Sequence, residues 1–298
     1  MPAKVRIEAT ATQFFLSAAP STPDITLRAV VEGVPPAAMP ANAMAFVWRF
    51  QLSYTDFIHV PGSGRRNTRT TVHPPMPPVR GNPVCVPLTT VMGGRLTAEV
   101  SVQIGTQTLT ACRDDLLIGG TNPTRTDLVG AVPSELIRKL IQQESGGKQF
   151  SDATTRAPAA RGINPNWSGD NLRGVGLGQL TRPAPTVPDI WNWRINALHT
   201  QTQYQGKRHS GATLHTRIAA STRYKAEVAA LAAWRAAEGL PPLTVRLPAL
   251  TEEQKDLQGL RAYNGMGREV AGDERVERSG GHAPGDPHYV ENVLGQPG

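Results

Sequence analysis

The 298-residue sequence lacks the features that mark membrane-spanning, secreted or metal-binding proteins. No stretch approaches the roughly 18 apolar residues of a membrane-spanning helix, and the N-terminus lacks the apolar core of a signal peptide. No cysteine and histidine cluster has metal-ligand spacing, and His282 and His288 lie in a Gly/Pro-rich loop that predicts solvated side chains. We therefore expect no metal, no cofactor and no membrane span.

Cysteine is scarce, since the chain has two, Cys85 and Cys112, both in its first part. Two interpretations stay open. The favoured one is a pair of buried thiols, and the other is a cross-strand disulfide, which requires an oxidising compartment.

The formal charge of +7 is not concentrated in one arm. There are 10 basic and 7 acidic residues up to Asn122, and 21 basic and 17 acidic residues after it. This even spread argues against a dedicated nucleic-acid-binding protein. It is compatible with an anionic polymer such as a cell wall.

The length suits two domains. Residues 1–122 are predicted to be all-β, because residues 45–52 and 96–104 alternate apolar and polar side chains and 107–112 completes a hairpin. Short strands with Pro/Gly-rich connections indicate an immunoglobulin-like sandwich. The Gly-Gly-Thr-Asn-Pro stretch at 119–123 predicts a boundary between the two parts of the chain. Residues 123–298 are predicted to be helical.

A predicted helix over residues 134–144 carries a carboxylate on its apolar face. Its stripe recurs at three- and four-residue spacing, as Leu136, Ile137, Leu140 and Ile141. Glu144 continues that stripe in the last turn, where burial and the helix C-terminus would both raise its pKa. A carboxylic acid protonated near neutral pH is what a general acid requires. The alternative is a solvated glutamate at a frayed helix end.

Four segments follow one another in the order of a known family pattern. They are Glu144-Ser145, Gly174-Val-Gly-Leu-Gly-Gln-Leu-Thr181, Ala262-Tyr-Asn-Gly-Met-Gly267 and Tyr289-Val-Glu-Asn-Val-Leu294. This order resembles the catalytic domain of soluble lytic transglycosylases and goose-type lysozymes, over roughly residues 128–296. Residues 191–196 resemble the helix that follows the glutamine motif in such domains. The resemblance implies an α+β multidomain protein, with the β-sandwich followed by an all-α lysozyme-like catalytic domain.

The resemblance also implies a set of site residues. Glu144 matches the general acid, and Ser145 would support the loop beyond it. Gln179 would hold an N-acetyl group, and Tyr263 would hydrogen-bond the Glu144 carboxyl. Asn264 would contact sugar or backbone, and Tyr289 would form one wall of the site. The sequence departs from the family at Gly178, where methionine is usual, and its loops are longer, which affects the expected shape of the sugar groove.

The implied reaction is cleavage of peptidoglycan between N-acetylmuramic acid (MurNAc) and N-acetylglucosamine (GlcNAc). A lytic transglycosylase needs Glu144 alone as acid and then base, whereas an inverting hydrolase needs a second carboxylate. Asp170 resembles the aspartate before the glutamine motif in goose-type lysozymes, so hydrolysis stays open, while Asp152 is less constrained. The transglycosylase is favoured.

A non-enzymatic adaptor with a degenerate lysozyme-like module is the alternative from a different class. The first domain is expected to bind wall, dock or act as a spacer. Without a signal peptide, we expect delivery to the periplasm or cell wall by a phage, a phage-tail-like device or a type VI-like system. The expected partner is peptidoglycan glycan strands, with no nucleic acid.

Overall fold

A computed structural model describes residues 2–34, 44–59, 66–151, 161–167, 174–242, 249–264 and 288–298. The chain divides into two compact units. The first unit comprises residues 1–134 and 141–199, and the second comprises residues 135–140 and 200–298. The domain boundary expected near residue 122 stays a prediction.

The described residues form strands and helices in mixed order. The strands are β1 (Lys4–Ala9), β2 (Gln13–Phe15), β3 (Thr26–Glu32), β4 (Met44–His59), β5 (Arg66–Val72), β6 (Val79–Arg80), β7 (Val84–Cys85), β8 (Gly94–Ile104), β9 (Gln107–Thr121), β10 (Phe150–Ser151), β11 (Arg161–Gly162) and β12 (Asn164–Pro165). The helices are α1 (Arg125–Ala131), α2 (Glu135–Ser145), α3 (Val187–Trp191), α4 (Trp193–Ala220), α5 (Thr222–Ala237), α6 (Glu252–Tyr263) and α7 (Tyr289–Gly295).

Two sheets enclose the apolar core of the first unit. One has the order β1-β3-β7, and the other runs β11-β9-β8-β4-β5, with β2 on β9 and β6 on β4. Strand β8 buries Leu96, Ala98, Val100 and Val102, while β4 buries alternate residues that include Trp48. The predicted period-two pattern is confirmed in both strands, and an immunoglobulin-like sandwich is compatible with these two sheets. Residues 61–83, whose Pro, Arg and Thr content predicts a long loop, contain strands β5 and β6 instead.

The expected all-α lysozyme-like domain is wrong, because the chain is mixed α/β with large multi-stranded sheets. Three of the strands, β10, β11 and β12, lie inside the region expected to be helical, and β11 pairs antiparallel with β9. Phe150, Val175, Ile190 and Trp191 belong to the same apolar core as the two sheets.

Trp191 shows why this part of the chain joins the β core. Its ring is 1% exposed and packs edge-on against Tyr54 with centroids 5.7 Å apart. Gly93 makes room for it, since a Cβ on Gly93 would lie 2.6 Å from Trp191 Cε3. Trp193 follows, and its indole Nε1 donates to the Ala18 carbonyl at 2.7 Å. Aromatic burial therefore fixes the start of α4 within the first unit.

The second unit contains most of α4 together with α5, α6 and α7. Helices α4 and α6 approach closely at Gly259, where a Cβ would lie 3.1 Å from Arg208 Cβ. Helix α5 buries none of its residues, and its Trp234 is 53% exposed. Helices α6 and α7 also contact one another.

Cys85 and Cys112 are free and exposed, so the favoured interpretation of buried thiols is wrong and the structure shows no disulfide between them. Within the described ranges, no helix is long and apolar enough to cross a membrane. The same ranges contain no group of three or more histidine, cysteine or acidic residues that could hold a metal ion.

Candidate functional site

Glu144 lies in the last turn of α2, as the periodicity predicts. Ile137, Leu140 and Ile141 are fully buried along the helix, and Glu144 is half-buried. The helix ends because Gly146 has a φ of 63°, a left-handed conformation that glycine adopts without steric cost. The carboxyl group therefore lies at the end of a helix that is buried along one face.

Ser145 connects this helix end to the loop that follows it. Its hydroxyl donates to the Ile141 carbonyl at 3.1 Å, and its own carbonyl accepts from Lys148 N at 3.3 Å. The Lys148 carbonyl in turn accepts from Asn166 Nδ2 at 3.0 Å. The Ser145 carbonyl is thus hydrogen-bonded to the loop that follows the helix, and the role that the resemblance implies for this residue stays a prediction.

The glycine-rich segment forms a compact turn, which we call the glycine turn (residues 174–180). Val175 and Leu180 close it through two backbone hydrogen bonds of 3.2 Å each. Gly176 has a φ of 74°, and Gln179 has a φ of 48°, the one positive value of a non-glycine residue in the described part of the chain. Such backbone strain persists only where the surroundings over-determine the conformation.

Gln149 supplies part of those surroundings and is fully buried. Its Oε1 accepts from Leu177 N in the glycine turn at 3.2 Å. Its Nε2 donates to the carbonyls of Asp189 and Ile190 at 2.9 Å each. One side chain from the loop beyond Glu144 thus ties the glycine turn to helix α3.

Two further amides complete the arrangement. Asn196 Oδ1 accepts from Gly178 N at 3.1 Å, and its Nδ2 donates to the carbonyls of Val175 and Asp189 at 3.0 Å each. Asn122 Oδ1 accepts from Gln149 N at 2.8 Å and from Phe150 N at 2.7 Å. All three are buried, and we call Asn122, Gln149 and Asn196 the amide frame.

Gln179 carries a buried acceptor at this turn that is without a partner in the described part of the chain. Its Nε2 donates to the Gly176 carbonyl at 2.9 Å and to the Asn166 carbonyl at 3.4 Å. Its Oε1 is buried and has no hydrogen-bond partner among the described residues. A buried acceptor without a partner is costly, so this atom can take a hydrogen bond from an ordered water or from a ligand N–H. The acetamido group of an N-acetylated sugar carries such an N–H.

Three of the predicted site residues lie in the same unit. Glu144, Ser145 and Gln179 lie in the first unit, where a short path of hydrogen bonds runs from Ser145 through Lys148 and Asn166 to Gln179.

The other predicted residues lie elsewhere. Tyr263 ends α6, Asn264 follows it with its N–H donating to the Leu260 carbonyl, and Tyr289 is buried at the start of α7, all in the second unit. Their contact with Glu144 stays a prediction. Asp170 and Asp152 lie outside the described residues.

Sequence reasoning missed the amide frame. Asn196 lies in the segment that resembles the family helix, but its spacing gave it no role, and Gln149 carries no motif. It also missed an Asp–His pair, in which the buried Asp189 carboxylate accepts from Thr186 N at 2.8 Å and pairs with His199 Nδ1. The available signal was the position of Asp189 three residues after Thr186, a capping-box spacing.

Comparison with known proteins adds no relative. No protein-family model matches the chain, and neither the curated proteins nor the solved structures give a match.

Proposed function

We propose that the protein cleaves peptidoglycan glycan strands at the MurNAc–GlcNAc β-1,4 bond, as a lytic transglycosylase. One observation carries the proposal. Gln149, five residues after Glu144, holds the glycine turn by accepting from Leu177 N. The helix end that carries the half-buried Glu144 is thus followed by a residue that holds the turn carrying the amide acceptor of Gln179, which is unpartnered within the described ranges. Cleavage of an acetylated glycan uses both chemical groups.

Glu144 is the proposed proton donor. Its carboxyl protonates the glycosidic oxygen, the bond from that oxygen to the muramic C1 breaks, and oxocarbenium character develops at C1. The resulting carboxylate then takes the proton of the muramic C6 hydroxyl, and O6 bonds to C1 to give a 1,6-anhydro sugar. Each step conserves protons, because Glu144 ends in its starting state.

Gln179 is the proposed anchor for the substrate. Its Oε1 accepts the acetamido N–H, which places the sugar ring relative to Glu144. Tyr263, Asn264 and Tyr289 are proposed to complete the site around the acid and the sugar, as the family resemblance implies.

The substrate gives the proposed place of action, the periplasm or the cell wall. The N-terminal part of the chain would then bind the wall or dock onto a phage-tail or type VI-like delivery apparatus. The exposed free thiols of Cys85 and Cys112 require no oxidising compartment and are compatible with either route.

The experiment compares Glu144→Gln with Glu135→Gln on purified sacculi. Glu135 lies in the first turn of the same helix, is exposed and pairs with Lys139, so it is a matched control. Glu144→Gln should lower the rate of wall lysis by roughly 10²–10⁴-fold, with the thermal midpoint of unfolding unchanged. Lysis by Glu144→Gln within a few-fold of wild type would remove Glu144 from the mechanism.

The masses of the released muropeptides then decide the reaction type. Anhydro products are lighter by one water than reducing-end products, and they resist borohydride reduction. Reducible products whose release Asp170→Asn suppresses would replace the transglycosylase with a goose-type hydrolase. Absence of lysis by the wild-type protein on several wall types would favour the non-enzymatic adaptor.

A further inference from the structure

The glycine turn takes its hydrogen bonds from side chains rather than from a helix or sheet. Its Leu177 and Gly178 N–H groups donate to Gln149 Oε1 and Asn196 Oδ1, and its Val175 carbonyl accepts from Asn196 Nδ2. Since buried backbone polar groups need partners, these two amides determine which conformation of the turn is satisfied.

A side-chain amide suits both positions. Each one must accept from an N–H in the turn and donate to a carbonyl elsewhere, including the Asp189 carbonyl that both amides share. A neutral carboxamide offers an acceptor and two N–H donors on one planar group, whereas a carboxylate offers acceptors alone. The shared carbonyl makes the turn and the C-terminal part of α3 one hydrogen-bonded body.

The space around Gly176 in the glycine turn is also restricted. A Cβ on Gly176 would lie 2.5 Å from Asn196 Nδ2 and 2.6 Å from Gln149 Nε2. The turn therefore rests directly on both amides, with room for glycine alone. Gln179, three residues later, is held at its positive φ by this closed arrangement.

We propose that Gln149 and Asn196 are positioning residues that fix the glycine turn and with it Gln179, whose buried Oε1, unpartnered among the described residues, accepts from the acetamido group of an N-acetylated glycan. This inference rests on the proposed function and extends it to two residues that touch no substrate. Their substitution displaces Gln179 through the turn, and a displacement of about 1 Å in a positioning contact costs on the order of 10²-fold in rate.

The test uses Asn196→Asp in the full chain, with Asn82→Asp as its control. Asn196→Asp keeps the acceptor for Gly178 N and loses the donors to Val175 and Asp189. Asn82 makes the same type of contact far from the turn, since its Oδ1 accepts from Ala29 N and its Nδ2 donates to the Ala29 carbonyl, both at 2.8 Å. Asn82→Asp therefore removes an amide donor within the same unit without touching the glycine turn.

Two readouts are needed. Hydrogen–deuterium exchange in the peptide that spans residues 174–181 should accelerate in Asn196→Asp and remain unchanged in Asn82→Asp. Binding of tri-N-acetylglucosamine, used as the probe, should weaken roughly tenfold or more in Asn196→Asp, seen also as a raised KM on soluble muropeptides. If Asn196→Asp does not fold, Gln149→Asn serves as the second variant, since it keeps the amide and withdraws it by one methylene.

The outcomes separate the two proposals. Unchanged exchange in residues 174–181, or faster exchange with unchanged probe affinity, would overturn the positioning role while leaving the function intact. A wild-type protein that neither binds the probe nor lyses sacculi would overturn the proposed function and, with it, the glycan-binding role of the turn. Equal losses of probe affinity in Asn196→Asp and Asn82→Asp would show a general loss of stability and would also overturn the inference.

Discussion

Around the glycine turn, the first unit uses neutral buried amides, whereas the second unit joins α4 to α6 through charged groups near solvent. Arg208 donates through Nε to Asp256 Oδ1 at 2.6 Å and pairs with Glu252 through its second guanidinium nitrogen. The Tyr204 hydroxyl donates to the same Asp256 oxygen at 3.0 Å. A buried amide has one protonation state, so its geometry is insensitive to pH and salt, while exposed ion pairs depend on both.

The two units also differ in how deeply they bury their tryptophan side chains. The first unit buries Trp48, Trp191 and Trp193 to 1% exposure or less, while the second exposes Trp234 on a helix with no buried residue. Rigid packing around the proposed acid and sugar anchor is what a preorganised site requires. The comparison therefore predicts that equivalent substitutions in the two units have unequal effects.

The largest difference is expected for tryptophan truncation. Trp191→Ala should reduce the free energy of unfolding by about 3–5 kcal/mol, because it leaves a cavity between Tyr54, Phe150 and Gly93. Trp234→Ala should change it by no more than about 0.5 kcal/mol, since that side chain is mostly in solvent. Urea denaturation of the two variants measures both values, and similar losses would contradict the packing contrast.

Trp191 also shows what the sequence could and could not predict. Period-two alternation correctly predicts β4 and β8, because each strand has one buried face and a side chain period of two. The strands after residue 145 are two residues long, too short for any periodic signal, and this is why an all-α region was predicted. The resemblance then reinforced that prediction, although Trp191 packs with the β core.

The site was predictable only in part, for a related physical reason. The motif order singles out Glu144 and Gln179, whose roles stay a prediction, while Gln149 lies five residues after Glu144 and holds the turn that contains Gln179. The amide frame itself had no signature, because a buried polar residue is defined by its partners in space and not by spacing along the chain. Gln149 and Asn196 are 47 positions apart and meet through the Asp189 carbonyl.

A second prediction concerns the space at the glycine turn. Gly176→Ala and Gly146→Ala both place alanine at a left-handed φ, 74° and 63°, so their backbone costs are similar. The added Cβ at residue 176 would overlap the amides of Gln149 and Asn196, whereas at residue 146 the nearest atom is Gln142 Nε2 at 4.0 Å. Gly176→Ala should therefore be less stable than Gly146→Ala by roughly 1–3 kcal/mol in urea denaturation. Equal losses of stability in the two variants would show that the glycine turn shifts to accommodate the added methyl group.

A third, smaller effect is expected from His73, a buried histidine of the first unit. His73 is 3% exposed, and burial holds its pKa below the ordinary value. A histidine with a depressed folded pKa loses stability as pH falls below the unfolded value of about 6.5, because the unfolded chain takes up the proton first. His73→Gln retains a donor for the Gly93 carbonyl but has no such proton, so its unfolding midpoint should vary less between pH 7 and 5. His209→Gln, at an exposed position of the second unit, should leave the pH dependence of the midpoint unchanged.

The smallest effect is expected from Glu252, at the charged contact of the second unit. Hydrogen bonds from Lys255 and Arg208 lower the pKa of this carboxyl to about 2. Because the folded pKa lies below the unfolded value of about 4.3, the group stabilises the fold above that value and loses its contribution as pH falls toward 2. Glu252→Gln should therefore have a slightly lower thermal midpoint than wild type at pH 6 and low salt, and the difference should vanish near pH 2.

The control for Glu252 is Glu253→Gln, in the same helical turn. Glu253 has no salt-bridge partner in the described part of the second unit, while both carboxylates lie near the positive end of the helix dipole. Addition of salt should erase the Glu252→Gln difference, because screening weakens exposed pairs, and should leave the Gly176→Ala loss unchanged. A loss of stability in Glu252→Gln that resists salt and persists to pH 2 would mean that Glu252 acts through packing. The contrast between buried amides in the first unit and exposed ion pairs in the second would then not hold at this position.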